Sequence, residues 1–362
     1  MKILIINAIL YTSESKKVKR ADSIKDTMIY DLCLAFYKAG HEVTLCAAEP
    51  FRPKNGENYP FDVVWIQCKM ENIFIPSRLP WMPAIKGYLK NNNFDLIISS
   101  EVFSLNTFYA YKICGDKVIA WHEIAKHQAM LHQIPSKFWY NIVAKHLLKN
   151  LHVVARSVEA REFIKKYCNN VEEEIIDHGV NLDKFKFNYD KEDYFVVCSQ
   201  LIKRKRIDGI ILKFNNFLSL FPEYKLVIIG GGGEENNLKS IVADLKIGNN
   251  VSFTGKLPHN EMIPILSGAK ALLVNTEKDN NMISIVESIA VGTPIISTTI
   301  PLNASYIKSN KLGIVEDNWG KESLIEIVKN NSIYVENCNN YRQTLSTDNR
   351  VKQFIRIIND EK

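Results

Sequence analysis

The chain has 362 residues, 46% of them hydrophobic and 24% charged, which is the composition of a globular protein and excludes a disordered chain, a collagen and a transmembrane bundle. At roughly 150 residues per domain it should hold two domains. Its net charge of +6 is mild, and no aromatic-basic stacking platform accompanies it, which argues against nucleic acid as a partner.

In chain order, the opening run Ile3–Leu10 contains Asn7 and lacks a small-residue cleavage site, so it reads as a first strand and not as a signal peptide. Strands are predicted at Lys2–Asn7, Val43–Ala47, Val63–Gln67, Leu96–Ser99, Val118–Trp121 and Val153–Ala155. Helical patterns fill the intervals at Ser23–Ala39, Ala84–Asn91, Ser104–Ile113, Lys137–Leu148 and Ser157–Tyr167, the first closed by Gly40. After an irregular polar segment, Asp177–Asp193, the pattern restarts. Strands are predicted at Tyr194–Ser199, Lys225–Gly230, Val251–Phe253, Ala271–Asn275 and Ile295–Thr298, and helices at Ile207–Phe221, Glu235–Leu245, Glu261–Ala269 and Ser284–Val291. Thr347–Ile358 is amphipathic and reads as a last helix. Several strands are apolar throughout, the mark of parallel sheets covered on both faces. Two such β/α series imply an α/β chain of two Rossmann-like domains facing each other across a cleft, with ligands at the carboxyl ends of the strands. Seven scattered cysteines without a C-x-x-C pair argue against a zinc site or disulfide framework and suit a reducing cytoplasm.

Four strand-end segments could carry chemistry. Gly230–Gly233 lies between a strand and a helix, where Gly231 and Gly232 would let backbone approach a phosphate; the alternative is a tight turn. Gln200–Arg206 ends in four consecutive cations, Lys203, Arg204, Lys205 and Arg206, which repel one another unless an anion such as a diphosphate is near. Asp279 precedes the apolar helix that carries Glu287, a carboxylate that must find a partner; ribose hydroxyls, a buried lysine or backbone amides would serve. His122 follows the strand Val118–Trp121, whereas His127 and His132 read as structural.

These residues resemble a family. Asn275–Asp279, seven residues, then Glu287-Ser288-Ile289-Ala290-Val291-Gly292-Thr293-Pro294 is similar to the signature of retaining nucleotide-sugar glycosyltransferases of family 4, also called group 1. Gln200–Asp208 and His178–Asn181 are similar to further motifs of that family, in order. The resemblance implies the GT-B fold and a metal-independent transferase without cofactor, with a nucleotide-diphosphate sugar, UDP-sugar favoured, as co-substrate. It implies an acceptor-binding domain at 1–180, a nucleotide-sugar domain at 181–346, and a helix at 347–362 packing back on the first. Carried over by position, Glu287 would bind ribose, Asp279 the donor sugar, and Lys205 the diphosphate. The Met282, Ile283 and Ser284 backbone would approach sugar and phosphate, and His122 would contact the transferred sugar or acceptor. Asn280, Asn281 and Met282 would choose the sugar.

Three departures stand out. Gln200 replaces the usual arginine, with Arg204 as its substitute. Asp279 is one methylene shorter than the usual glutamate. The glycine pair expected between Ala8 and Asp22 is absent, leaving Lys19 or Arg20 to act by charge. A nucleotide-sugar 2-epimerase and a non-catalytic GT-B partner subunit are the rival readings. The acceptor expected is a glycan or lipid-linked saccharide of capsule, exopolysaccharide or other surface-glycan synthesis. The cations at Lys16, Lys17, Lys19 and Arg20, and those of Lys112–Lys166, suggest a cytoplasmic protein peripheral on an anionic membrane surface.

Overall fold

The computed structural model describes residues 1–11, 18–128, 130–279 and 281–360. These form two compact units, Met1–Asn181 with Thr347–Lys362, and Leu182–Ser346. The basic residues Lys16 and Lys17, and Asn280, lie outside the described residues.

The first unit is built on β1 (Lys2–Ile6), β2 (Glu42–Ala48), β3 (Asp62–Ile66), β4 (Leu96–Ser100), β5 (Val118–His122) and β6 (His152–Ala155). All pairings are parallel, in the order β3-β2-β1-β4-β5-β6. Ile3, Leu4, Ile5 and Ile6 are all buried, as expected of a strand with helices on both faces. The chain winds outward from β1 in one direction and restarts at β4 in the other, so the ends of β1 and β4 diverge and open a crevice.

The first helix is shorter than its pattern. It runs Met28–Lys38, because the Thr27 hydroxyl accepts from the Tyr30 amide and caps the helix there. Its end follows the sequence. Gly40 sits at φ +84° and donates to Tyr37 O, and His41 donates to Phe36 O, a Schellman closure that needs the left-handed residue. The helix Thr347–Asp360 belongs to this unit: buried Val351, Phe354 and Ile357 line one face, and Phe354 packs 5.6 Å from the Trp121 ring.

The second unit repeats the plan with β7 (Tyr194–Cys198), β8 (Lys225–Ile229), β9 (Val251–Gly255), β10 (Ala271–Leu273), β11 (Ile295–Ser297) and β12 (Gly313–Val315), in the order β12-β11-β10-β7-β8-β9. β12 and the helices Ala304–Ser309, Lys321–Lys329 and Asn331–Arg342 fall outside the predicted elements. β12 has three residues and opens with Gly313 at φ +155°, where a side chain would strike Ile295 O. Of the helix Asn331–Arg342 only Val335 and Cys338 are buried, too few to mark a period.

A half-buried cation sits among the helix ends of this unit. Lys191 donates to Ser267 O at 2.6 Å and to Thr293 Oγ1 at 3.1 Å, and burial lowers its pKa to about 8. Between about pH 8 and 10.5 the unfolded chain keeps this proton and the folded chain has lost it, so stability from this group rises with pH through that window. We expect the Tm difference between pH 7.5 and 9.5 to shift in favour of the higher pH by more in the wild type than in Lys191→Met, as read by scanning calorimetry.

Candidate active site

In the second unit the chemistry gathers at the carboxyl ends of β7 and β10. After β7 a short turn, Lys203–Lys205, leads to Arg206 at φ +48° and then to the helix Ile207–Leu218. The loop after β10 is laced to it: Glu277 N donates to Arg204 O at 2.8 Å and the Thr276 hydroxyl donates to the same oxygen at 3.2 Å. This brings Asp279 against the cations. Its Oδ2 accepts from Lys205 Nζ, lies 3.3 Å from Arg204, and is 3.2 Å from the Thr276 hydroxyl oxygen. The anion that the cation run required is thus supplied by the chain itself. Lys205 is 9% exposed, so removing Asp279 would strand its charge in a poorly hydrated place, at about 3–5 kcal/mol, whereas removing Lys205 leaves Asp279 paired with Arg204. Arg206 turns away to exposed Glu277, and Gln200 is exposed.

Glu287 is 8% exposed on the helix Ile283–Ala290, and its partner is His259 Nε2, 2.7 Å from Oε1. His259 begins the helix His259–Gly268 after β9 and is held edge-on by Phe185. Sequence reasoning missed it; the signal was the buried acid, which demanded a partner from a neighbouring strand end. Cys198, at the end of β7, has its thiol pushed up to about 12 by burial and then by the Glu287 charge.

The glycines divide. A side chain at Gly230, φ +140°, would meet Ser199 O at 1.8 Å, and one at Gly232 would meet Leu201 O at 2.3 Å. Gly231 would touch only the Lys256 side chain, and Gly233 faces open space. The loop is also bonded to Leu201, whose amide donates to Gly231 O at 3.2 Å and whose carbonyl accepts from Glu234 N at 3.0 Å. The close approach that Gly232 permits is therefore to the loop after β7. The Met282 amide is likewise taken, by Asn303 Oδ1 at 2.6 Å. The amides of Ile283 and Ser284, in the first turn of their helix, have no intrahelical acceptor by position and remain the backbone donors of that segment.

In the first unit His122 is wholly buried, stacked 6.5 Å from Phe163, and its Nδ1 lies 2.9 Å from Glu101 Oε2. Neither ring nitrogen makes a well-aligned hydrogen bond among the described residues. Direct contact with a sugar is not what this placement provides. Glu101, at φ +69° after β4, stands between His122 and a pocket of about 260 Å³ at the divergence of β1 and β4. Asn7, Ser100, Glu101, Glu123, Arg156 and His178 supply its polar lining. Arg156 lies 3.8 Å over the Trp121 ring and 3.0 Å from Glu123 Oε2. The His178 hydrogen bond and the Arg156 charge hold the Glu123 carboxyl down to about 2. His127 is bonded to Ser136 and Tyr167, a structural pairing. Arg20 is paired with Glu49 at 3.2 Å.

With this geometry in view, comparisons with known proteins are informative. Residues 181–346 match the family described as "Glycosyl transferases group 1". The O-antigen chain mannosyltransferase RfbU of Salmonella typhimurium is 26% identical over 284 residues, 76% of each chain. Alpha-monoglucosyldiacylglycerol synthase of Streptococcus pneumoniae is 25% identical over 177 residues; the match spans 44% of this chain and 40% of that protein. Among solved structures, Anabaena Alr3699/HepE in complex with UDP aligns over 99% of this chain and 100% of its own, with a TM-score of 0.70 at 12% identity. The lipopolysaccharide outer core galactosyltransferase WaaB aligns with a TM-score of 0.64 at 14% identity, over 100% of both chains. At these identities the structures establish the fold: two Rossmann-like units of the GT-B class.

The glycine contacts give a test of the loop. Gly230→Ala and Gly232→Ala should each destabilise the protein by about 2 kcal/mol or more, whereas Gly233→Ala should be close to neutral. Chemical denaturation of the three variants measures this.

Proposed function

We propose that this chain, whose C-terminal unit belongs to the group 1 glycosyltransferases and whose fold is GT-B, transfers a hexosyl or N-acetylhexosaminyl unit from a nucleotide-diphosphate sugar to a saccharide acceptor with retention of configuration. The observation that carries this reading is the convergence of Arg204, Lys205 and Asp279 at one end of the C-terminal sheet, with Glu287 in the same unit buried at a helix that follows it.

In this reading the Glu287 carboxylate accepts from the ribose hydroxyls, and His259 fixes its orientation. Lys205 and Arg204 turn from Asp279 to the diphosphate, assisted by the Ile283 and Ser284 amides. Asp279, relieved of its cations, accepts from hydroxyls of the donor sugar. As the bond between the anomeric carbon and the diphosphate oxygen breaks, charge grows on that oxygen, and fixed cations stabilise it most where it grows. The acceptor hydroxyl attacks the anomeric carbon from the face the diphosphate leaves, and its proton passes to the departing phosphate oxygen. The cations perform the role a divalent ion has in other transferases, so the reaction is metal-independent.

The N-terminal unit is the proposed holder of the acceptor, in the pocket lined by Glu101, Glu123 and Arg156. His122 acts there through Glu101, as a positioning residue. A UDP-sugar is favoured, and HepE, similar in fold, is a UDP complex. A lipid-linked saccharide of surface-glycan synthesis as acceptor is supported by RfbU, an O-antigen chain mannosyltransferase. No helix among the described residues is long and apolar enough to cross a membrane.

Glu287→Ala and Lys205→Ala should each lower kcat/KM by a hundredfold or more, about 3 kcal/mol of transition-state stabilisation, while leaving the folded state cooperative. Nucleoside diphosphate release from a panel of sugar nucleotides, with the anomeric configuration of the product read by NMR, is the assay. Near-wild-type turnover in either variant, or an inverted product, would contradict the proposal. Activity should also persist in EDTA; loss restored by magnesium or manganese would show that the cations do not suffice.

A further inference from the structure

The segment after β5 carries an unusual surface. An α-helical turn, Ile134–Phe138, runs into a π-helix, Trp139–Leu147, closed by the Leu148 amide donating to Val143 O, five residues back. Ser136, Tyr140, Ala144 and Leu148 form its inner row, every one buried. The opposite row is apolar as well: Ile134, Phe138, Ile142 and Leu147 are 66%, 61%, 47% and 45% exposed. The first three repeat at four-residue intervals. Leu147 follows at five, the spacing that the wider π-turn brings into line. Beside this stripe, again at four-residue intervals, lie exposed Lys137, Asn141, Lys145 and Lys149.

Along the chain the charge of this segment has one sign. No aspartate or glutamate occurs from Ile124 to Val158. The Lys137 and Lys166 charges both act on His127, lowering its pKa after burial has done so. Lys112 reaches over the Phe108 ring, which itself packs 6.3 Å from Trp139.

We infer that the outer face of Ile134–Leu147 is a docking surface for an anionic lipid bilayer, with Ile134, Phe138, Ile142 and Leu147 entering the acyl boundary and Lys137, Lys145 and Lys149 engaging the headgroups. A row of large apolar side chains flanked by lysines, on a helix whose other face is anchored in a core, is the pattern of an in-plane interfacial helix. Long lysine stems allow the ammonium groups to stay at headgroup level while the helix lies at the boundary. Each lysine adds a modest, screened attraction, so the association is reversible and salt-sensitive. A protein partner would need carboxylates matched to each lysine, whereas an anionic bilayer presents phosphates at any register.

Flotation with vesicles tests this. The wild type should float with vesicles of phosphatidylcholine and phosphatidylglycerol in equal parts at low salt, float less at high salt, and stay behind with phosphatidylcholine alone. The double variant Phe138→Ser with Ile142→Ser should bind at least tenfold more weakly at every salt concentration. Lys137→Glu with Lys145→Glu should lose the salt-sensitive part. These side chains are exposed, so thermal melting should be little changed, and UDP binding by the same variants reports separately on the donor site. Flotation of the apolar variant equal to wild type would overturn the inference. So would equal binding to neutral vesicles, or a wild-type dimer that the variant dissociates.

Discussion

A parallel sheet covered by helices on both faces leaves a chain few places to put charge other than the ends of its strands. Both units of this protein obey that constraint, and most of their chemistry follows from it. In the C-terminal unit Lys205 and Arg204 after β7 meet Asp279 after β10, and Glu287 finds His259 after β9. In the N-terminal unit Glu101, Glu123 and Arg156 follow β4, β5 and β6 and surround one pocket. Apart from the neighbours Arg204 and Lys205, the members of these clusters are far apart in sequence; strand order brings them together.

The pairings also say what a ligand must do. In the proposed reaction a diphosphate would draw Lys205 from Asp279, and ribose hydroxyls would join a carboxylate already bonded to His259. Such exchange costs little when every partner is charged and the loops are fixed beforehand. Here they are fixed by main-chain bonds, Glu277 to Arg204 and Leu201 to Gly231. The loops are laced together in the protein as it stands, so binding trades one set of charge contacts for another without ordering the backbone.

Much of this was legible beforehand. Uniformly apolar runs such as Ile3–Ile6 and Leu226–Ile229 identified buried parallel strands, and the need of Glu287 for a partner pointed to a site. What escaped has physical reasons. β12 is too short for a period, and the helix Asn331–Arg342 buries too few residues to show a face. The first helix begins late because Thr27 offers the backbone a cap. The shape of the glycine loop depends on a crossing with Leu201, which no local pattern encodes. His122 closes a strand that runs one residue past its predicted end, and its neighbours Tyr140 and Phe163 come from distant helices and close over it.

The central claim is that Glu287, oriented by His259, binds the ribose of a nucleotide sugar. Calorimetric titration of wild type and Glu287→Gln with UDP and with its 2′,3′-dideoxy analogue isolates that contact in a double-mutant cycle. If the carboxylate holds the ribose hydroxyls, the analogue binds the wild type at least tenfold more weakly than UDP, about 1.4 kcal/mol, and the variant binds both alike. An equal loss of affinity for the analogue in the two proteins would place the ribose elsewhere and contradict the claim.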